Sequence, residues 1–217
     1  MKVHRWKMMT TLAAAASLTL ALGAAPSQAG TFADSANDVA GLSASDLSKL
    51  PLTNRHRTRR ERANLAVVLR AYHDGEGNVL DAQDFMDLFA DDGVLNGIGG
   101  VEGQTTLRGQ QLGDLILYLG GFLPDIHREL KEISVSGDVV SIELSIQGTF
   151  SVPFQTPVGA VKPTGAKIDF PTADFWYLHN GKVEKFDCHI SFTTLFAQLG
   201  VLPDYASAVG ASMPTGN

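Results

Sequence analysis

A lone carboxyl set in an apolar strand is the group in this sequence best suited to chemistry. Ile168, Phe170, Thr172, Asp174, Trp176 and Leu178 alternate along one stretch, and Phe186, Cys188, Ile190 and Phe192 along the next. The period of two, with Asn180-Gly181 between the stretches, predicts antiparallel strands over about Ala166–Leu178 and Lys182–Phe192. Register decides what Asp174 meets, because a slip of one residue turns every side chain to the other face. A two-residue turn would pair Asp174 with Asp187 and put the two apolar sets on opposite faces. A three-residue loop, His179-Asn180-Gly181 with the glycine left-handed, sets Asp174 opposite Phe186 and unites those sets; that is the register expected. Asp174 then stands among Phe170, Trp176, Phe186 and Cys188. Desolvation there raises its pKa and suits it to proton transfer or hydrogen-bond donation. An Asp satisfied by a neighbouring backbone donor or Arg, serving only to hold a strand, is the other reading. The residues alone leave the two open.

The remaining polar candidates carry less. Asp187 and His189 lie two apart on the strand face opposite the apolar set, and a metal needs a third ligand at suitable spacing, so a solvated or subunit-contact face is expected. His73 and Asp74 follow Tyr72 at a helix end, and His179 belongs to a turn. Cys188 is the single cysteine, which excludes an intrachain disulfide and suggests buried packing. The sequence has no Gly-rich phosphate loop, nucleophile elbow or Cys/His cluster. Neither a cofactor nor a metal is expected.

The elements that must position Asp174 follow from periodicity. Leu65, Val68, Leu69 and Tyr72 mark an amphipathic helix over about Arg59–Tyr72, broken by Gly75-Glu76-Gly77-Asn78. Asp81 is placed to cap a second short helix carrying Phe85, Leu88 and Phe89 and ending near Gly93, before a short strand at Val94-Leu95. Leu107, Leu112, Leu115, Ile116 and Leu119 predict a third helix, stopped by Gly120-Gly121. Past Pro124 the period becomes that of strands. Val140, Ile142, Leu144, Ile146 and Phe150 alternate with polar residues, and the turn at Ser136-Gly137-Asp138 pairs that strand with about Ile126–Val135. Residues 152–165 read as a loop, and Leu195–Leu199 as a terminal helix. Helices followed by long antiparallel strands indicate an α+β fold, a sheet curled around helices.

The chain's start reads as a secretory leader. Lys2, Arg5 and Lys7 precede an apolar run from Thr11 to Ala25, and Ser27-Gln28-Ala29 offers small residues where a signal peptidase reads. The run is about 15 residues, short of the ~20 that span a bilayer. Residues 1–29 are expected to be removed and the protein exported, to the periplasm or the medium. Residues 30–57 read as a loosely ordered extension, 58–203 as one domain and 204–217 as a tail. Removing the leader leaves 14 Lys+Arg against 23 Asp+Glu, a formal charge of −9. Nucleic acid and anionic membrane both demand a cationic footprint, so neither is expected as a partner. The cluster Arg55, Arg57, Arg59, Arg60 and Arg62 lacks interleaved aromatics and reads as a solvated face.

The run PDIHREL…SGDVVSIELSIQGTF…PTGAKIDF…DFWYLHNGKVEKFD…FAQLGV, with FMDLFADDGVLNG before it, resembles the SnoaL-like polyketide cyclase family. That family lies within the cone-shaped superfamily named after nuclear transport factor 2, and the resemblance covers roughly residues 60–202. It implies a curved sheet and helices around an apolar pocket, a homodimer, and cofactor-free acid–base chemistry of cyclase, isomerase or dehydratase type on a small apolar molecule. On that basis Asp174 is the pocket carboxyl, with His127 and Tyr72 as polar partners and Phe89, Phe122, Phe170, Trp176 and Phe186 as walls. Asn96 and Phe150 stand where the steroid isomerases and the cyclases, respectively, would have a carboxylate and a histidine. A non-catalytic ligand-binding or protein-interaction module on the same fold is the alternative. An open apolar cavity with polar groups converging near Asp174 favours an enzyme, and a filled cone favours the interaction module.

Overall fold

In a computed structural model of the chain, residues 49–54, 57–97, 106–156 and 159–201 are described. The expected leader, most of the extension and the tail lie outside these residues.

Helix α1 (Arg59–Asp74) starts on a capping box, in which Thr58 accepts from the Glu61 N–H and Glu61 returns to the Thr58 N–H. Glu61 also accepts from the Gly137 N–H at 2.9 Å, so the cap ties α1 to the turn between the first two long strands. Asp81 caps α2 (Ala82–Asp87) as expected. That helix is shorter than the sequence suggests: Leu88 closes it and Phe89 already belongs to strand β1 (Phe89–Asn96). Gly93 does not end a helix. It lies inside β1 where the register slips, and a Cβ there would press on the Val183 carbonyl.

Helix α3 (Gln110–Phe122) also departs from expectation at both ends. Leu107 forms a bridge to Leu95 instead of opening the helix. The Gly120-Gly121 pair lies within the helix, because Gly120 is where Leu80 packs against the backbone. Leu123 is the C-cap, and Pro124 follows.

The long strands are β2 (His127–Ser136), β3 (Val139–Thr149), β6 (Lys167–His179) and β7 (Lys182–Ile190). They join β1 in a sheet ordered β1-β7-β6-β3-β2, parallel only where β1 meets β7. The predicted loop over 152–165 holds a small hairpin, β4 (Phe154–Thr156) and β5 (Gly159–Val161). Helix α4 (Phe192–Gln198) begins at Phe192, which the sequence pattern assigned to the last strand. Pro51 and Thr53, on either side of Leu52, hydrogen-bond to Ile133 at the outer edge of β2, so the end of the expected loose extension covers that edge. The α+β arrangement of the sequence reading is the observed one. One core of helix and sheet side chains runs from Leu65 and Val68 on α1 to Leu144, Phe170 and Trp176 on the concave face.

The hairpin that fixes Asp174 has neither the loop nor the register expected: Asp174 lies opposite Cys188, not Phe186, although the apolar sets do share a face. Asn180 and Gly181 both have positive φ, 50° and 77°, and His179 pairs with Lys182, so the turn has two residues and not three. A bulge then shifts the ladder between Tyr177 and Leu178, and Asp174 faces Cys188 while Trp176 faces Phe186. The turn alone would split the apolar sets between faces. The bulge restores them to one.

Candidate active site

Asp174 is 3% exposed and lies at the centre of a buried polar cluster. Its Oδ2 accepts from the Tyr72 hydroxyl at 2.7 Å, and the same hydroxyl accepts from Trp176 Nε1 at 3.1 Å. Helix α1 therefore supplies the donor, and alternate positions of β6 supply the carboxyl and the indole. Trp176 is held flat by Phe186, stacked at 3.6 Å between centroids, and edge-on by Tyr72 at 5.7 Å. The second carboxyl oxygen, Oδ1, has no hydrogen-bond partner. Desolvation raises the Asp174 pKa from 3.8 to about 6, against the lowering effect of hydrogen bonding by Tyr72 and by the Cys188 thiol and of the Arg128 charge. Burial also pushes the Tyr72 hydroxyl and the Cys188 thiol well above their ordinary values, with the neighbouring carboxylate adding to both.

The cluster lines a cavity walled by Ala71, Phe85, Leu115, Ile116, Ile146 and Phe186, among others. The space open to the centres of water molecules is about 40 Å³, room for about three of them. The interior is thus narrow, neither the open cavity nor the filled cone of the two expectations, and polar groups do converge in it.

Arg128 is the charged cavity residue that the sequence reading missed. Its side chain is 8% exposed. Nη1 donates to the Gly75 carbonyl at 2.6 Å, and the guanidinium lies against Gly75, where a Cβ would come within 3.1 Å of Cζ, Nη1 and Nη2. Desolvation lowers its pKa, but an arginine in a protein stays cationic.

Its neighbour His127 was expected in the pocket and is not there. The His127 side chain is 60% exposed, and Nδ1 meets Glu76 at 2.9 Å. The reason is a bulge in β2, where the pairing slips between Leu130 and Glu132. Counting back by twos from buried Val135 and Ile133 leads to His127; across the bulge the inward set becomes Leu130 and Arg128. A carboxyl demanding a compensating charge within reach was the one signal in the sequence that could have pointed to the arginine.

Tyr72, Trp176 and Phe186 line the cavity as expected. The other three predicted walls do not. Phe89 packs behind Trp176 at 6.3 Å, Phe122 joins Phe150 and Phe154 in a separate aromatic group, and Phe170 is a core residue of β6. Asn96 donates to Asp187, which also holds Lys185, so this polar set belongs to the other face of the sheet.

A cone of this kind, with one buried carboxyl at its polar centre, defines a class of small-molecule pocket. The family model for the SnoaL-like domain matches residues 69–186, and the chain belongs to that family. Among solved structures it is similar to a candidate SnoaL-like polyketide cyclase from Jannaschia sp. CCS1 (TM-score 0.58, 18% identity, 69% of this chain and 100% of that one). It is also similar to AclR, a candidate hydroxylase from Streptomyces galilaeus (0.56, 19%, 71% and 95%), and to IdmH, a candidate polyketide cyclase from Streptomyces antibioticus (0.51, 24%, 64% and 99%). At these identities the likeness establishes the cone fold. No curated protein matches the sequence.

Proposed function

We propose that this protein binds a small, largely apolar molecule in the cavity beside Asp174 and transforms it by cofactor-free acid–base chemistry of cyclase, isomerase or dehydratase type. The observation that carries this reading is the Asp174 carboxyl itself: one oxygen held by Tyr72, the other unpartnered, and a pKa raised to about 6. Such a group gives and takes a proton near neutral pH. Tyr72 fixes its orientation, and the aromatic stack holds the indole beside it. A carboxyl placed only to hold a strand would have both oxygens satisfied.

A non-catalytic ligand carrier is the second reading, favoured by the narrowness of the cavity. A molecule larger than the present space must displace Leu115, Ile116 and Leu119 on α3. The two readings separate on Asp174→Asn, which keeps the shape and removes the titrating proton. An enzyme loses roughly 10²–10⁴-fold in rate, whereas a carrier shows no turnover in either form. Turnover of a cyclisable or enolisable substrate panel at an undiminished rate in the variant would defeat the catalytic reading.

The proposal extends to the protein's setting. The sequence of residues 1–29 supports export, and the exposed aromatic side chain of Phe175 on the outer sheet face, with Tyr177 beside it, supports a homodimer. The acidic balance of the chain supports a partner that is neither nucleic acid nor membrane.

A further inference from the structure

Arg128 has more donors than the protein uses. Nη1 is spent on the Gly75 carbonyl, and no described residue accepts from Nε or Nη2. Those two N–H groups form the side-on edge of the guanidinium, whose parallel donors match the two oxygens of a carboxylate. Glu76 does not occupy that edge. It takes His127 Nδ1 at 2.9 Å and the Arg128 backbone N–H at 3.0 Å, and stands 4.0 Å from Nη1. Arg128 and Asp174, whose Oδ1 is unpartnered, line the same cavity, and Leu115, Ile116 and Ile190 are among its apolar residues.

We infer that the ligand of this pocket is a small carboxylic acid, its carboxylate held side-on by Arg128 and facing Asp174, its hydrocarbon part against α3. Three waters occupy about 90 Å³ of liquid, roughly the bulk of a two-carbon acid, and a four-carbon acid enters as Leu115, Ile116 and Leu119 give way. The inference rests on reading the cavity as a ligand pocket and names the class of molecule it takes. Two carboxyls beside one arginine share a proton, because like charges in close contact resist joint ionisation. Binding therefore takes up a proton when Asp174 is ionised. Arg128 faces Asp174 from β2, Tyr72 from α1 and Cys188 from β7; His189 acts on Asp174 only through its charge from the outer face of β7, and Glu76 and His127 stand behind the arginine.

The test is titration calorimetry of the purified chain with butyrate and with its neutral isostere butyramide, at pH 5.5 and 7.5. Butyrate is expected to bind about tenfold or more tightly at pH 5.5 than at 7.5, with net proton uptake at the higher pH. Butyramide should bind weakly at both. Arg128→Lys, which keeps the charge but loses the fork, should weaken butyrate about tenfold and leave butyramide within about twofold. Asp174→Asn should remove the pH dependence, which separates Asp174 from His127 and His189. Thermal melts of both variants report that the cone is folded. Butyramide binding as tightly as butyrate at pH 5.5, or an unchanged butyrate affinity in Arg128→Lys, overturns the carboxylate assignment and leaves the pocket standing. Binding of neither compound by the wild type overturns both.

Discussion

Asp174 carries a cost in stability that its chemistry requires. The folded carboxyl keeps its proton to about pH 6, against 3.8 for a free one, so between those values the folded state binds more protons than the unfolded. Stability from this group is fully present below about pH 4, falls as pH rises to about 6, and is level above. At about 1.4 kcal/mol per tenfold in proton affinity the total is about 3 kcal/mol. Urea unfolding of Asp174→Asn should lack that slope, and the variant should equal or exceed wild type at pH 7. A variant less stable than wild type at pH 7 would make Asp174 scaffolding. Tyr72→Phe acts in the opposite sense. It removes the donor to Asp174 and the acceptor for Trp176 Nε1, leaving two buried groups short of a partner, at about 2–4 kcal/mol. Because the Tyr72 hydrogen bond favours the ionised carboxyl, its loss moves the Asp174 pKa higher, and the destabilisation should be smaller at pH 5 than at pH 7.5. Equal losses at the two pH values would show that the hydroxyl does not act through the carboxylate.

Among the elements, the junction of β1 and β7 holds the cavity's wall in place. Gly97 has φ 95°, and a Cβ there would collide with the carbonyl oxygen of Cys188, the residue paired with Asp174. Gly97→Ala combines a left-handed strain with a backbone clash, each about 1–3 kcal/mol. It should lower the unfolding free energy by about 2 kcal/mol or more and disturb the Cys188–Asp174 pair. Chemical denaturation measures the first effect, and Trp176 fluorescence the second. A variant unfolding like wild type would mean that β1 gives way without consequence for the sheet. The two bulges matter in the same way. That in the β6–β7 hairpin keeps Asp174 with the apolar set, and that in β2 turns Arg128 inward and His127 out.

The whole molecule raises two questions of setting. Phe175 is 36% exposed on the outer sheet face, in edge contact with His189, and Tyr177 beside it lies under Lys185 Nζ at 3.8 Å. If that face joins two copies, light scattering at tens of micromolar, the order of a weak interface, should give the dimer mass. Phe175→Lys should then give the monomer with its melting temperature little changed. A wild-type monomer at that concentration would remove the dimer. For export, intact-mass measurement of protein from periplasm or medium should place the mature N-terminus at Gly30 or within a residue or two of it. The full-length mass in that fraction would contradict cleavage.

Periodicity in the sequence determined the four long strands, the first helix and its break, and the burial of Asp174 with Trp176, because alternation and helical spacing are local properties. The shared face of Asp174 and Cys188 was also legible, although the turn inferred for it was not: parity is set by which residues must be buried, and a three-residue loop and a two-residue turn with a bulge satisfy it equally. Of the two polar partners the family resemblance implied, Tyr72 lines the cavity and His127 stands outside it. Only the tertiary structure decided which side of β2 faces the cavity, how narrow that cavity is, and that Phe122 and Phe170 pack away from it. A bulge adds one residue without a signature in composition, yet it reverses the facing of every residue beyond it. The arginine beside the carboxyl is a consequence of that one slip.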